Sequence, residues 1–122
     1  MASEQSFKET WNTYASSWGA TSDKERRERY QAALDPECVY TDPQMQARGF
    51  DELLAYMKQF HEQVPGGYFV TREFTAHHDR SLAKWNMCGA DGTVLGDGIS
   101  YGEYNQNGKL VAMTGFFKAE DG

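Results

Sequence analysis

At 122 residues the chain is the size of one domain and buries about two-thirds of the surface it exposes when unfolded, so one core is expected over residues 1–122. Eighteen acidic against twelve basic residues leave a net charge of -6, and the basic cluster Lys24 to Arg29 is interrupted by Glu25 and Glu28; this excludes nucleic acid as a partner, because phosphate binding needs an uncompensated basic surface. No window approaches the roughly 18 apolar residues of a membrane span, and MASEQSFKET has neither the charged start nor the apolar run of a secretion signal, so a cytoplasmic location with no membrane partner is expected.

Residues 3–18 place Phe7, Trp11, Tyr14 and Trp18 at spacings of four, three and four, which puts four rings on one face of a first helix ending at Gly19. Ser22-Asp23-Lys24-Glu25 is a capping box that opens a second helix, with Tyr30, Ala33 and Leu34 apolar and a charged side turned to solvent, broken at Asp35-Pro36. Cys38 to Asp42 reads as a short strand, because Val39, Tyr40 and Thr41 favour extended backbone and Pro43 stops it. Phe50 to Val64 returns to helical spacing through Leu53, Leu54, Met57, Phe60 and Val64, and Pro65-Gly66-Gly67 ends it.

From there the period changes to two. Tyr68 to Ala76, Ser81 to Gly89, Thr93 to Tyr104 and Lys109 to Lys118 read as four strands separated by turns at His78-Asp79, Ala90-Asp91-Gly92 and Asn105 to Gly108. Helices followed by meandering strands predict an α+β fold, three N-terminal helices packed on a curved antiparallel sheet. Alternation assigns Trp85, Met87, Ser100, Gly102, Tyr104, Met113, Gly115 and Phe117 to the face beneath the helices, and Leu82, Cys88, Leu110 and Phe116 to the outer face. Aromatics reach 14% of the chain, a load that suits either a ring-lined cavity or rings packed in a core or interface. Glycines 102 and 115 mark a sheet bend or a closely approached ligand. Cys38 and Cys88 have no CxxC partner and read as buried free thiols.

The order helix, helix, strand ending in Asp-Pro, Arg-Gly before a third helix, then four strands closing on GKLVAMTGFF resembles the nuclear-transport-factor-2-like superfamily. The stretches VYTDPQMQARGFDELLAYM (39–57) and GDGISYGEYNQNGKLVAMTGFF (96–117) are similar to its SnoaL-like polyketide cyclase and ketosteroid isomerase branch. The resemblance implies a cone-shaped, cystatin-like α+β barrel, a cavity for an apolar small molecule, and a homodimer paired sheet to sheet. The superfamily holds isomerases, cyclases, dehydratases and binding proteins, so fold follows from it more firmly than reaction.

Three residues are then catalytic candidates. Asp42 resembles the general-base aspartate of the isomerases, and a carboxylate at the rim of an apolar cavity suits proton abstraction; the plain alternative is an Asp-Pro turn in which Asp42 caps backbone amides. Tyr14 resembles the tyrosine that donates a hydrogen bond to the developing enolate oxygen, with Trp11 or Trp18 as other occupants of that place; the plain alternative is a core tyrosine with its hydroxyl at the surface. Ser100 stands where the isomerases keep a neutral aspartic acid, and a hydroxyl donates there more weakly. Asp97 points to the opposite face by alternation. Trp18, Met57, Phe60, Trp85, Met87, Gly102, Tyr104, Met113, Gly115 and Phe117 are the expected substrate-binding residues. His61, His77 and His78 do not make a metal set, since the adjacent pair points to opposite faces, and no cofactor is expected. The two aspartates and arginine of limonene epoxide hydrolases have no counterpart, Arg72 and Arg80 lacking facing carboxylates. The leading expectation is cofactor-independent proton transfer next to a carbonyl; its rivals are a non-catalytic binding module and a dimeric assembly domain.

Overall fold

The computed structural model describes residues 3–117 of the chain. Helix α1 (Glu4–Ser17) is started by Ser3, whose hydroxyl accepts the Ser6 amide. Helix α2 (Asp23–Ala33) starts at Ser22, which accepts the Glu25 amide. Strand β1 (Leu34–Thr41) follows without a break, pairs with the short β2 (Gln46–Arg48), and leads into α3 (Gly49–Gln63). Four strands complete the chain: β3 (Tyr68–His77), β4 (Arg80–Cys88), β5 (Val94–Tyr104) and β6 (Leu110–Phe116). Lys118, the expected last residue of the final strand, lies outside the described residues.

The sheet has six strands in the order β2-β1-β6-β5-β4-β3. Three helices on one face of a curved sheet is the α+β architecture that the change of period implies. One pair departs from the expected antiparallel pattern: β1 runs parallel to β6, Tyr40 opposite Met113 and Thr41 opposite Thr114, so the sheet is mixed. β1 emerges from α2 and is longer than the expected 38–42 stretch, accommodating Pro36 through a register shift between Leu34 and Val39.

Packing settles which face each residue takes. Phe7, Trp11, Tyr14 and Trp18 are all buried against the sheet, as their helical spacing requires. Leu82 and Phe116 face outward as expected, 40% and 60% exposed. Leu110 and Cys88 do not, being buried. For Leu110 the reason is a bulge: Glu103 pairs with Ala112 but Tyr104 with Leu110, so Val111 is skipped and Leu110 turns into the core. Cys88 lies where the β4–β5 ladder skips Leu95, passing from Met87–Gly96 to Cys88–Val94. The charged side of α2 is solvated except at Arg26, which is buried, donating to the Ala20 carbonyl and to Asp23 while its Nε has no partner among the described residues.

Candidate functional site

Between α1, α3 and the concave face of the sheet lies a cavity of about 310 Å³. Nine aromatic rings line it: Trp11, Tyr14, Trp18, Tyr40, Tyr56, Phe60, Phe69, Trp85 and Phe117. Trp18 is their hub, with ring centroids 5.5 Å from Tyr40, 5.7 Å from Tyr56, 5.7 Å from Phe60 and 5.6 Å from Phe69. Most of these contacts are edge-on, the arrangement in which ring quadrupoles attract. Phe69 carries the wall on to Trp85, 5.1 Å away, and Trp85 to Phe117.

Three polar side chains in this wall are buried: Tyr14, Asp42 and Ser100. Asp42 sits just past the end of β1, on the same face as Tyr40 two residues before it. Its Oδ1 accepts the backbone amides of Gln44 at 2.8 Å and Met45 at 3.1 Å. Its Oδ2 accepts the phenols of Tyr40 and Tyr56, each at 2.7 Å. The turn-capping role and the cavity-facing role are therefore both realised, one on each oxygen. A carboxylate has about four acceptor positions, so the four donors leave none unused.

Tyr14 Oη accepts from the Trp18 indole at 3.1 Å, a contact one helical turn makes possible between positions i and i+4. Ser100 Oγ accepts from the Trp85 indole at 2.9 Å. This second bond depends on glycine. The cross-strand partner of Trp85 is Gly98, where a Cβ would stand 2.5 Å from Cζ2 of the indole, so only a bare backbone lets the ring lie across β5 and reach Ser100. Burial pushes the phenols of Tyr14, Tyr40 and Tyr56 well above the ordinary range; for the last two, donation to Asp42 adds to the effect. All three are neutral donors at physiological pH.

Of the residues expected to bind substrate, Trp18, Phe60, Trp85, Met87 and Phe117 line the cavity. Met57, Gly102, Tyr104 and Met113 do not. Met57 is fully buried on the other stripe of α3, its sulfur accepting the Tyr30 hydroxyl at 2.9 Å. Tyr104 packs on Phe7 and shares a 2.8 Å hydrogen bond with Ser81. Gly102 and Met113 belong to that same filled end, where a Cβ on Gly102 would meet Ser81 Oγ at 2.9 Å and Leu110 Cδ2 at 3.0 Å. Gly115 is different. It is not part of the wall, but a Cβ there would lie 3.6 Å from Ser100 Oγ, 3.7 Å from the Asp42 Cβ and 3.7 Å from Tyr40 Oη, marking the point where those three converge.

Residues missed by the sequence reading are Tyr40, Tyr56, Gln44 and Phe69. Three of the four had a signal: Tyr40 alternates with Asp42, Tyr56 lies one turn before Phe60, and Phe69 pairs with the inward Met87; Gln44, in the turn after Pro43, had none. At the mouth stand the exposed Gln44, Gln63 and Asp97. Asp97, expected on the opposite face, is exposed yet borders the cavity, and contrary to expectation Arg72 has a carboxylate near it, Asp97 at 3.9 Å. His61 donates from Nε2 to the Trp18 carbonyl and so ties α3 to the end of α1, while His77 and His78 are exposed at the β3–β4 turn.

A cone of three helices on a curved mixed sheet with an aromatic cavity is the architecture of the cystatin-like α+β class. The chain belongs to the SnoaL-like domain family, whose model matches residues 15–122. The fold is similar to that of a protein from Agrobacterium tumefaciens strain C58, provisionally described as an isomerase of the SnoaL-like family (TM-score 0.86, 22% identity, 94% of this chain and 99% of that one). It is also similar to a protein of unknown function with a cystatin-like fold from Methylobium petroleophilum PM1 (TM-score 0.78, 14% identity, 98% and 80%). A third likeness is to a protein from Jannaschia sp. CCS1, provisionally described as a SnoaL-like polyketide cyclase (TM-score 0.74, 17% identity, 93% and 85%). No curated protein matches the chain. At these identities the likeness establishes the fold. Among the described residues no helix is long and apolar enough to cross a membrane.

Proposed function

We propose that the protein is a cofactor-independent enzyme that moves a proton next to a carbonyl of an apolar small molecule, as an isomerase, cyclase or dehydratase does. One observation carries this: a buried carboxylate shares a ring-walled cavity with two hydroxyls, Tyr14 and Ser100, whose hydrogens have no acceptor among the described residues. In this reading the ligand carbonyl lies against Tyr14 and Ser100. Asp42 Oδ2 takes the proton from the adjacent carbon, the electron pair moves onto the oxygen as an enolate, and the two hydroxyls hold the new charge. Oδ2 must first lose one donor, and Tyr56 has a second acceptor, Gln44 Oε1 at 3.3 Å, to turn to.

The test needs no knowledge of the natural substrate. 2-Tetralone, a flat ring ketone, is incubated with the protein in deuterated buffer and exchange at its α-carbon is followed by NMR. The wild type exchanges it faster than buffer alone, and Asp42→Asn loses about 100-fold or more of that rate. Equal rates for the two proteins sink the assignment of the base.

The four filled acceptor positions of Asp42 favour a second reading, a binding module that holds an apolar molecule without chemistry. Here 2-tetralone binds but does not exchange, Asp42→Asn keeps the affinity and Trp85→Ala loses it. We also propose a homodimer through the outer sheet face, where the half-exposed Leu82, Ile99 and Phe116 lie on three successive strands. Sedimentation at micromolar concentration gives a dimer that Phe116→Lys dissociates; a monomeric wild type removes this proposal.

A further inference from the structure

The two hydroxyls that face the cavity are held by the same device, built twice from unrelated parts of the chain. Tyr14 Oη accepts from the Trp18 indole along one turn of α1. Ser100 Oγ accepts from the Trp85 indole across the β4–β5 ladder. A hydroxyl has one hydrogen to donate and two lone pairs to accept with, whereas an indole N–H can only donate. Pairing a hydroxyl with an indole therefore has a definite outcome: the hydroxyl must be the acceptor, that bond does not spend its own hydrogen, and among the described residues nothing else takes it. A partner able to accept would have consumed it. At the other end of the sheet Ser81 and Tyr104 instead share one bond that either oxygen can donate, so one of their two hydrogens is spent inside the pair.

The third buried polar group of the wall, Asp42, has donors at all four acceptor positions. Until Tyr56 turns away, the carboxylate has no acceptor position to spare, and a ligand meets the two hydroxyls, each with its hydrogen and one remaining lone pair. Among the described residues no lysine or arginine lines the cavity, so these hold a ligand anion by hydroxyl hydrogens rather than by a counter-charge. A hydroxyl that already accepts a hydrogen bond is a stronger donor, because each bond in a chain polarises the next.

We propose that Trp18 and Trp85 are positioning residues that aim and strengthen the Tyr14 and Ser100 hydroxyls, and that this end of the cavity recognises a ring-conjugated oxygen acceptor, an oxyanion in preference to its protonated form. The inference rests on the reading of the cavity given above and deepens it. Neither indole needs to touch the reacting atoms. The ligand class is a flat ketone whose enolate, or a phenol whose phenolate, places one oxygen between the two hydroxyls with its ring against the aromatic wall.

The probe is 4-nitrophenol, whose absorbance distinguishes phenol from phenolate when bound. The wild type binds the phenolate in preference, so the bound probe ionises at lower pH than the free one. Replacing Trp85 by Phe lowers that preference about fivefold, the scale of one hydrogen bond, and the same change has no further effect in a Ser100→Ala background. Trp18→Phe behaves likewise, with its effect absent in a Tyr14→Phe background. An indole that acts only through packing gives the same loss in both backgrounds, and that result overturns the proposal. So does a wild type with no preference for the phenolate.

Because Trp18 packs on four rings, a variant there that fails to fold is replaced by a measurement on the wild type: hydrogen exchange at the Trp18 indole Nε1 slows when the phenolate binds, and an unchanged rate counts against the proposal. The Asp42→Asn exchange test is independent of these. Indole-dependent phenolate binding together with undiminished 2-tetralone exchange in Asp42→Asn leaves the donor pair standing and removes the base.

Discussion

The two ends of the concave sheet face are built from the same parts and finished differently. At one end Ser81, Gly102 and Tyr104 meet Phe7, Leu110 and Met113; at the other Ser100, Gly115 and Tyr14 meet Trp18, Trp85 and Asp42. Each end sets a serine and a tyrosine beside a strand glycine, and the open end adds Tyr40, Tyr56 and Gly98. At the first the two hydroxyls bond each other at 2.8 Å, and the space over Gly102 is already taken by Ser81 and Leu110. At the second the Tyr14 and Ser100 hydroxyls are each paired with an indole, and a Cβ over Gly115 would find nothing nearer than 3.6 Å. Glycine thus does two jobs on one pair of strands. Gly102 admits neighbouring side chains into a dense core, and Gly115 leaves an opening between a carboxylate and a hydroxyl. In the filled end two hydroxyls spend a bond on each other inside the core, so it stabilises. In the open end Tyr14 and Ser100 have no acceptor among the described residues, so their hydrogens can act on a ligand.

The sharpest way to break this comparison is to add the same methyl group to both glycines. Gly102→Ala overpacks the filled end and costs about 1–3 kcal/mol in urea unfolding. A loss below that scale means the end is not dense. Next in size is the response to alkali, because both ends bury neutral acids. Burial raises the Cys38 thiol to about 11 and the Tyr104 phenol to about 12, and it drives Tyr14, Tyr40 and Tyr56 higher still. In the unfolded chain these groups ionise near 9 for the thiol and 10 for the phenols. Above those values the unfolded state gives up protons that the fold keeps, so stability, full below about pH 9, falls as pH rises toward 12. Unfolding free energy that stays level from pH 9 to 11 contradicts the burial of these groups. The smallest effect is expected at Gly115→Ala, which meets only ordinary van der Waals contacts and changes stability by less than about 0.5 kcal/mol. It nonetheless intrudes between Ser100 and Asp42, and weaker binding of 4-nitrophenol with unchanged unfolding is the result that sharpens the contrast.

Much of the architecture was legible because it is written in short-range periodicity. The ring stripe of α1, the cap at Ser22 and the alternation of β4, β5 and β6 are each carried by residues within a few positions of one another, and Trp85, Met87, Ser100 and Phe117 reach the cavity on alternation alone. Relations that depend on long-range register were not. The parallel pairing of β1 with β6 joins segments far apart in the chain, and the bulge that skips Val111 turns Leu110 inward against its local pattern. Met57 and Tyr56 are neighbours on α3, and helical spacing allowed either to face the cavity; packing against α2 takes Met57 into the core beside Tyr30, and Tyr56 reaches Asp42.

What the amino-acid order determined by itself is therefore the set of elements, their apolar faces and the types of polar group available to a cavity. What the tertiary structure decided is which of those groups remain unsatisfied. Asp42 is one aspartate before a proline until Tyr40 and Tyr56 arrive on its second oxygen, and Ser100 is one strand serine until the Trp85 indole crosses β5 to reach it. Hydrogen-bond satisfaction is a property of three-dimensional neighbours, so the difference between a structural hydroxyl and a usable one exists only once the cone has closed.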